Sequence, residues 1–147
     1  MAKYNKEYYE PLEQMMAVRH QYMSKILRDH TDQDIYNFFQ NKQVLDLGCG
    51  TGEFLNNYFE MGAQCTGIDI EKNFKLKNKK NFNLYNLDAN TFLKNCKKKF
   101  DIIFLFEFLE HLEEGDKHKL FESLIKILNK NALIFVSTLN KNLLSKY

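Results

Sequence analysis

The sequence has no apolar run near the ~20 residues that a membrane-spanning helix needs, so none is expected. It has one proline, no low-complexity linker and no internal repeat, and its 147 residues are the length of one domain. We expect a single domain over 1–147, with an N-terminal helical segment 1–41 and an α/β core 42–147. Cys49, Cys65 and Cys96 form no CxxC pair and no metal-binding spacing. Their odd number, and the lack of anything like a signal peptide, point to a reducing, cytoplasmic compartment with free thiols. The net charge of +2 is small and implies no polyanionic partner. Lysines cluster between Lys72 and Lys99 and read as a solvated surface, with a nucleic-acid patch as the competing reading.

What is present is a core, since 44% of the residues are hydrophobic. Tyr8, Leu12, Met15, Met16, Tyr22, Met23, Ile26 and Leu27 recur at roughly helical spacing and predict an amphipathic helix over 7–28. Thr31 and Asp32 read as the start of a short helix carrying Ile35, Phe38 and Phe39. Short apolar runs at 43–47, 65–70, 82–87, 100–106 and 132–137 predict five strands. Helices are predicted over 51–61, ended by Gly62, and over 116–129. Strands alternating with helices imply an α/β, Rossmann-like fold with a mostly parallel sheet.

The densest signal is VLDLGCGTG (44–52), a strand that runs into a glycine loop and then a helix. Glycine lets a backbone approach a ligand closely, and ligands of such sheets bind at the carboxyl ends of the strands. The spacing is G-x-G-x-G rather than the dinucleotide G-x-G-x-x-G, and no phosphate-binding lysine follows. Asp69 ends the second strand, where an acid can accept bonds from two ribose hydroxyls. Asp88 follows the third strand, where it could meet a base amino group; the plainer readings are a helix cap for Asp69 and a turn residue for Asp88. Three such features at successive strand ends predict one ligand site.

VLDLGCGTG followed by GIDI (67–70) resembles the class I methyltransferases that use S-adenosylmethionine. The resemblance covers roughly 43–137 and implies a seven-stranded sheet in the complete fold. It implies that Gly48, Cys49, Gly50, Thr51 and Gly52 lie under the methionine part, Asp69 on the ribose and Asp88 near the adenine. Asp46, Ile70 and Ala89 are implied as further cofactor contacts. PLEQMMAVRHQYM (11–23), FEFLEH (106–111) and STLNKN (137–142) together resemble the ubiquinone-biosynthesis O-methyltransferases. That resemblance implies that Arg19 reaches the cofactor's carboxylate, that Phe106 touches the cofactor, and that the acceptor is a small, lipid-like molecule at or near a membrane. Glu13 and Ala17 depart from the family's signature, and its paired tryptophans are absent. The chain ends at Tyr147, where the family continues with more sheet. C-terminal strands are therefore expected to be missing, leaving the fifth strand exposed and prone to self-association.

FEFLEHL (106–112) sets Glu107, Glu110 and His111 inside an apolar run. If that stretch is helical, the three stand at i, i+3 and i+4 on one face and could hold Mg²⁺ or another divalent cation. An E-x-x-E-H motif is associated with metal in related O-methyltransferases. His111 as a general base is the competing role, and exposed acids at a helix start are the plain one. The expected function is S-adenosylmethionine-dependent O-methylation of a catechol-like quinone precursor. The alternatives are a metal-dependent RNA 2′-O-methyltransferase and a cofactor-binding module without turnover.

Overall fold

The structure, a computed structural model, describes the backbone of residues 6–138 and the side chains from Gln14 onward. Tyr8 and Leu12 of the predicted first helix face, and the 139–142 part of STLNKN, lie outside the described side chains. The chain divides into two compact units, Met1–Gln40 and Asn41–Tyr147.

The first unit is two helices. Helix α1 (Lys6–Thr31) buries Met23 and Leu27, one turn apart on one face. Helix α2 (Ile35–Phe39) buries Ile35 and Phe39. The predicted start signal at Thr31–Asp32 is misplaced. The Thr31 hydroxyl donates back to the Leu27 carbonyl and so belongs to the end of α1. Asp32 then takes a left-handed backbone (φ 53°), and Asp34 is the cap, accepting from the Asn37 amide at 3.0 Å.

The second unit is a five-stranded, all-parallel sheet in the order β3-β2-β1-β4-β5. Its strands are β1 (Gln43–Leu47), β2 (Gln64–Asp69), β3 (Phe82–Asn86), β4 (Phe100–Phe106) and β5 (Leu128–Ser137). Helices α3 (Glu53–Glu60), α4 (Ala89–Asn95) and α5 (Glu114–Ile125) connect them. This is the doubly wound, Rossmann-like arrangement that the sequence predicted. The order reverses direction between β1 and β4, so the crevice at their carboxyl ends is the switch point where such folds bind ligands.

Alternation along β1 and β4 builds two cores. Leu45, Leu47, Ile103 and Leu105 join Leu93 of α4 and Leu120 and Leu124 of α5 on one face. Leu120 and Leu124 are one turn apart, and truncating either to Ala would cost about 2–5 kcal/mol. The other face is aromatic: the Tyr58 and Phe104 rings lie 5.0 Å apart, and Phe54 meets Phe104 and Phe106 edge-on. Gly62 (φ 92°) follows the end of α3, as expected.

Several boundaries moved, among them the start of β5, which is Leu128 rather than residue 132, and one helix was not foreseen. The helix predicted over 116–129 runs from Glu114 to Ile125, because Leu128 already pairs with Phe100 in β5. Helix α4 forms where no helix was predicted, and it has only Leu93 fully buried. Strand β5 pairs only with β4 among the described residues, and most of its side chains are half-exposed rather than buried.

Candidate functional site

The glycine loop after β1 is tied down to β2. The Gly48 and Cys49 amides donate to the Ile68 carbonyl at 2.8 and 3.1 Å, and the Gly52 amide closes the turn onto the Cys49 carbonyl at 3.0 Å. The Gly50 amide donates to Asp69 Oδ2 at 2.8 Å, while Asp69 Oδ1 accepts from the Glu71 amide at 2.8 Å. Each Asp69 oxygen therefore holds one backbone amide and keeps further acceptor capacity. Asn86 pins the next residues by donating to the Asp69 and Ile70 carbonyls. Ile70 itself is 73% exposed.

Gly48, Gly50 and Gly52 all adopt left-handed backbones, with φ of 82, 54 and 83°. Their surroundings differ. A Cβ on Gly48 would lie 2.9 Å from Phe108 Cδ2, and one on Gly52 would lie 2.9 Å from Leu84 Cδ1. A Cβ on Gly50 would meet nothing within 4 Å. The three glycines thus differ in what lies on their Cβ side. Two of them make room for protein side chains, and Gly50 alone presents an open face beside the Asp69 carboxylate.

Cys49 is buried and packs over Gly67, where a Cβ would lie 2.7 Å from its Sγ. Burial, reinforced by the Asp46 and Asp69 charges, pushes its thiol well above the usual range. Burial with Asp46 nearby does the same for Cys65, to about 12. Asp46 is almost fully buried in β1. The Thr51 hydroxyl donates to Glu53 Oε2 at 2.9 Å, and Glu53 also pairs with Lys75 at 2.9 Å.

Asp88 is the N-cap of α4, accepting at Oδ1 from the Thr91 amide at 3.0 Å. The helix-capping role, read as plain for Asp69, belongs to Asp88. Ala89 packs against the α4–α5 core. Phe106 ends β4 and stacks on Phe104 at 5.1 Å. Arg19 lies in α1 of the first unit.

The FEFLEHL stretch is not one helical face. Glu107 has a left-handed backbone (φ 51°), and only Leu109–His111 form a single 3-10 turn. Glu107 is fastened to the end of β5: its amide donates to the Ser137 carbonyl at 3.0 Å, and the Ser137 hydroxyl donates to Glu107 Oε1 at 2.9 Å. Glu110 Oε2 is buried with no hydrogen-bond partner among the described residues, whereas His111 is exposed. Two carboxylates and an imidazole have the right chemistry for a divalent cation. They do not converge here, however, and no three His, Cys, Asp or Glu groups among the described residues are placed to hold one. The i, i+3, i+4 argument fails because the chain turns at Glu107 before any helix begins.

Comparison with known proteins agrees with this geometry. A family model described as a methyltransferase domain matches residues 18–146. The ubiquinone biosynthesis O-methyltransferase of Pelagibacter ubique is 32% identical over 144 residues, covering 93% of this chain and 59% of that protein. The protein of the same name from Colwellia psychrerythraea is 28% identical, covering 93% of this chain and 58% of its own length. The chain therefore spans about three-fifths of these relatives. A SAM-dependent methyltransferase structure from Archaeoglobus fulgidus superposes with a TM-score of 0.64 at 27% identity, covering 91% of this chain and 59% of that one. The plantazolicin methyltransferase BpumL, solved with SAH, shares the fold with a TM-score of 0.65 at 22% identity, over 86% of this chain and 48% of its own.

Proposed function

The chain belongs to the methyltransferase-domain family, and from that premise we propose that it transfers the methyl group of S-adenosylmethionine to a hydroxyl of a catechol-like quinone precursor. The observation that carries the cofactor reading is the pairing of the open Gly50 face with Asp69 at the sheet's switch point. A carboxylate held by two backbone amides is fixed in place and can still accept from both ribose hydroxyls. Asp88 spends Oδ1 on its helix and has Oδ2 left for an adenine amino group. Exposed Ile70 and Leu87 offer that base an apolar seat. For Arg19 the proposal rests on the sequence resemblance alone.

Methyl transfer from a sulfonium is an in-line displacement by an already activated donor, so alignment is the protein's main task. The acceptor's hydroxyl must lose its proton as the new C–O bond forms and the C–S bond breaks. We assign that proton to His111, which sits on the 3-10 turn at the same sheet edge as the loop. The buried Glu110 Oε2 needs a donor, and the neighbouring catechol hydroxyl would supply one. No step is routed through a cation. The choice of acceptor is supported by the names of the relatives and by the pairing of a base, His111, with a hydroxyl-accepting carboxylate, Glu110.

The test has two stages. Calorimetric titration with S-adenosylmethionine and with S-adenosylhomocysteine (SAH) should give saturable binding below about 1 mM, within the usual range of enzyme substrates. A catechol acceptor should then gain one methyl group, read by mass, with loss of product in His111→Ala. No saturable binding of either nucleoside would remove the cofactor reading. Binding without transfer to any catechol would leave a cofactor-binding module and remove the acceptor.

A further inference from the structure

The turn that carries Glu110 and His111 is anchored at two points. One is Glu107, clamped to the end of β5 through the Ser137 carbonyl and hydroxyl. The left-handed backbone at Glu107 then swings the chain back toward β1. The second anchor is Phe108, whose Cδ2 would lie 2.9 Å from a Cβ on Gly48. The ring can only sit there because Gly48 has no side chain. Phe108, Leu109 and Leu112 also pack on the α4–α5 core. The Phe108 carbonyl accepts from the His111 amide at 3.3 Å, and Leu109 accepts from Leu112 at 3.2 Å. The ring and the 3-10 turn are therefore one compact piece seated on the first glycine of the cofactor loop.

The other end of that loop is the Gly50–Asp69 contact, on which the cofactor is proposed to bind. A bound cofactor would hold Gly50 and Asp69, and through the one intervening residue, Cys49, would further steady Gly48. Fixing Gly48 fixes the seat of the Phe108 ring. We propose that Phe108 is a positioning residue: it couples occupancy of the cofactor loop to the order of the turn bearing Glu110 and His111. Donor binding would then steady the acceptor-side groups before the acceptor arrives. The inference rests on the cofactor reading above, and nothing in it requires Phe108 to touch either substrate.

Hydrogen exchange of the full chain, with and without saturating SAH, reads this coupling. In the wild type, SAH should slow exchange over 107–112 by at least about fivefold, the lower end of ordinary coupling between two sites. In Phe108→Ala that slowing should vanish, while SAH still protects 48–52. A ring with a merely structural role would raise exchange of the turn with and without SAH alike, and the ratio would survive. If the alanine variant does not fold, Phe108→Leu decides. It keeps most of the volume but not the flat ring, so its ratio should fall below the wild type's. A wild-type ratio near one, or an unchanged ratio in a folded Phe108 variant, overturns the coupling while leaving the cofactor reading intact. Failure of SAH to bind the wild type overturns both.

Discussion

Alanine at each of the three loop glycines should separate packing from ligand contact. All three positions have left-handed backbones, so each alanine meets a penalty of roughly 1–2 kcal/mol. Part of this is offset, because alanine also restricts the unfolded chain, by about 0.4–1 kcal/mol. At Gly50 nothing further is added, since no atom lies within 4 Å of the new methyl. The net loss there should be about 1 kcal/mol or less, a fall in Tm of roughly 2–4 °C. At Gly48 and Gly52 the methyl lands 2.9 Å from Phe108 Cδ2 or Leu84 Cδ1. Overpacking then adds about 1–3 kcal/mol, more firmly at Gly52 because Leu84 is itself buried. The order of binding should be the reverse. A cofactor lying on Gly50 would meet the new methyl, and a misfit of about 1–3 kcal/mol raises Kd roughly 5- to 150-fold. Thermal unfolding and calorimetric SAH titration of the three variants test both orders together. If Gly50→Ala binds SAH within about twofold of the wild type, the open face is not where the cofactor lies. If Gly50→Ala is the least stable of the three, the side chains of Phe108 and Leu84 are not what demands glycine at 48 and 52.

Asp69→Ala should weaken SAH by roughly 1.5–3 kcal/mol, since a carboxylate hydrogen bond is lost and the Gly50 and Glu71 amides lose their acceptor; calorimetry showing unchanged affinity in a folded variant would remove Asp69 from the site. Mn²⁺ titration without acceptor should give no saturable binding below about 1 mM, because Glu107, Glu110 and His111 do not converge; tight binding that Glu110→Gln abolishes would reinstate the cation. Cys65 holds its proton to about 12 in the fold but to 9.0 in an unfolded chain, so its contribution is complete below pH 9.0 and is lost as pH rises toward about 12. Cys65→Val should flatten that alkaline loss in denaturant melts, and an unchanged slope would contradict the assignment. Among the described residues β5 is a sheet edge, with Val136 46% exposed, so sedimentation should show concentration-dependent self-association; a monomer at all concentrations would refute it.

The strands were legible because buried parallel strands read as short apolar runs with polar flanks. QVLDL ends at a glycine and FDIIFLF between charged neighbours, and both were bounded correctly as β1 and β4. Helix α4 was not legible, since its seven residues carry one fully buried side chain and no period to detect. Thr31 and Asp34 are both good cap residues, and only the backbone decides which side chain turns back and which turns forward. The site was legible as a set of strand ends, because topology alone brings the loop, Asp69 and the end of β4 to one edge. What each residue does there was not, because the deciding contacts are distant in sequence. Nothing local says that Leu84 fills the space beside Gly52.

Glu107 shows why composition misled at the motif. Side chains other than glycine and asparagine seldom adopt a left-handed backbone, so a glutamate in an apolar run reads as helix. Here two bonds to Ser137 hold it in that conformation, and the next residue is redirected onto Gly48. The amide and Oε1 of the first glutamate of FEFLEHL therefore join β4 to β5. In the second, Glu110, Oε2 is buried and meets no donor among the described residues. Leaving such an acceptor unmatched costs about 1–3 kcal/mol, and an apolar residue such as leucine would remove that cost. Keeping the carboxylate makes sense if a hydroxyl-bearing ligand completes it. Phe108 stands between the glutamate held by Ser137 and the turn bearing Glu110 and His111, and its ring packs on Gly48 of the glycine loop.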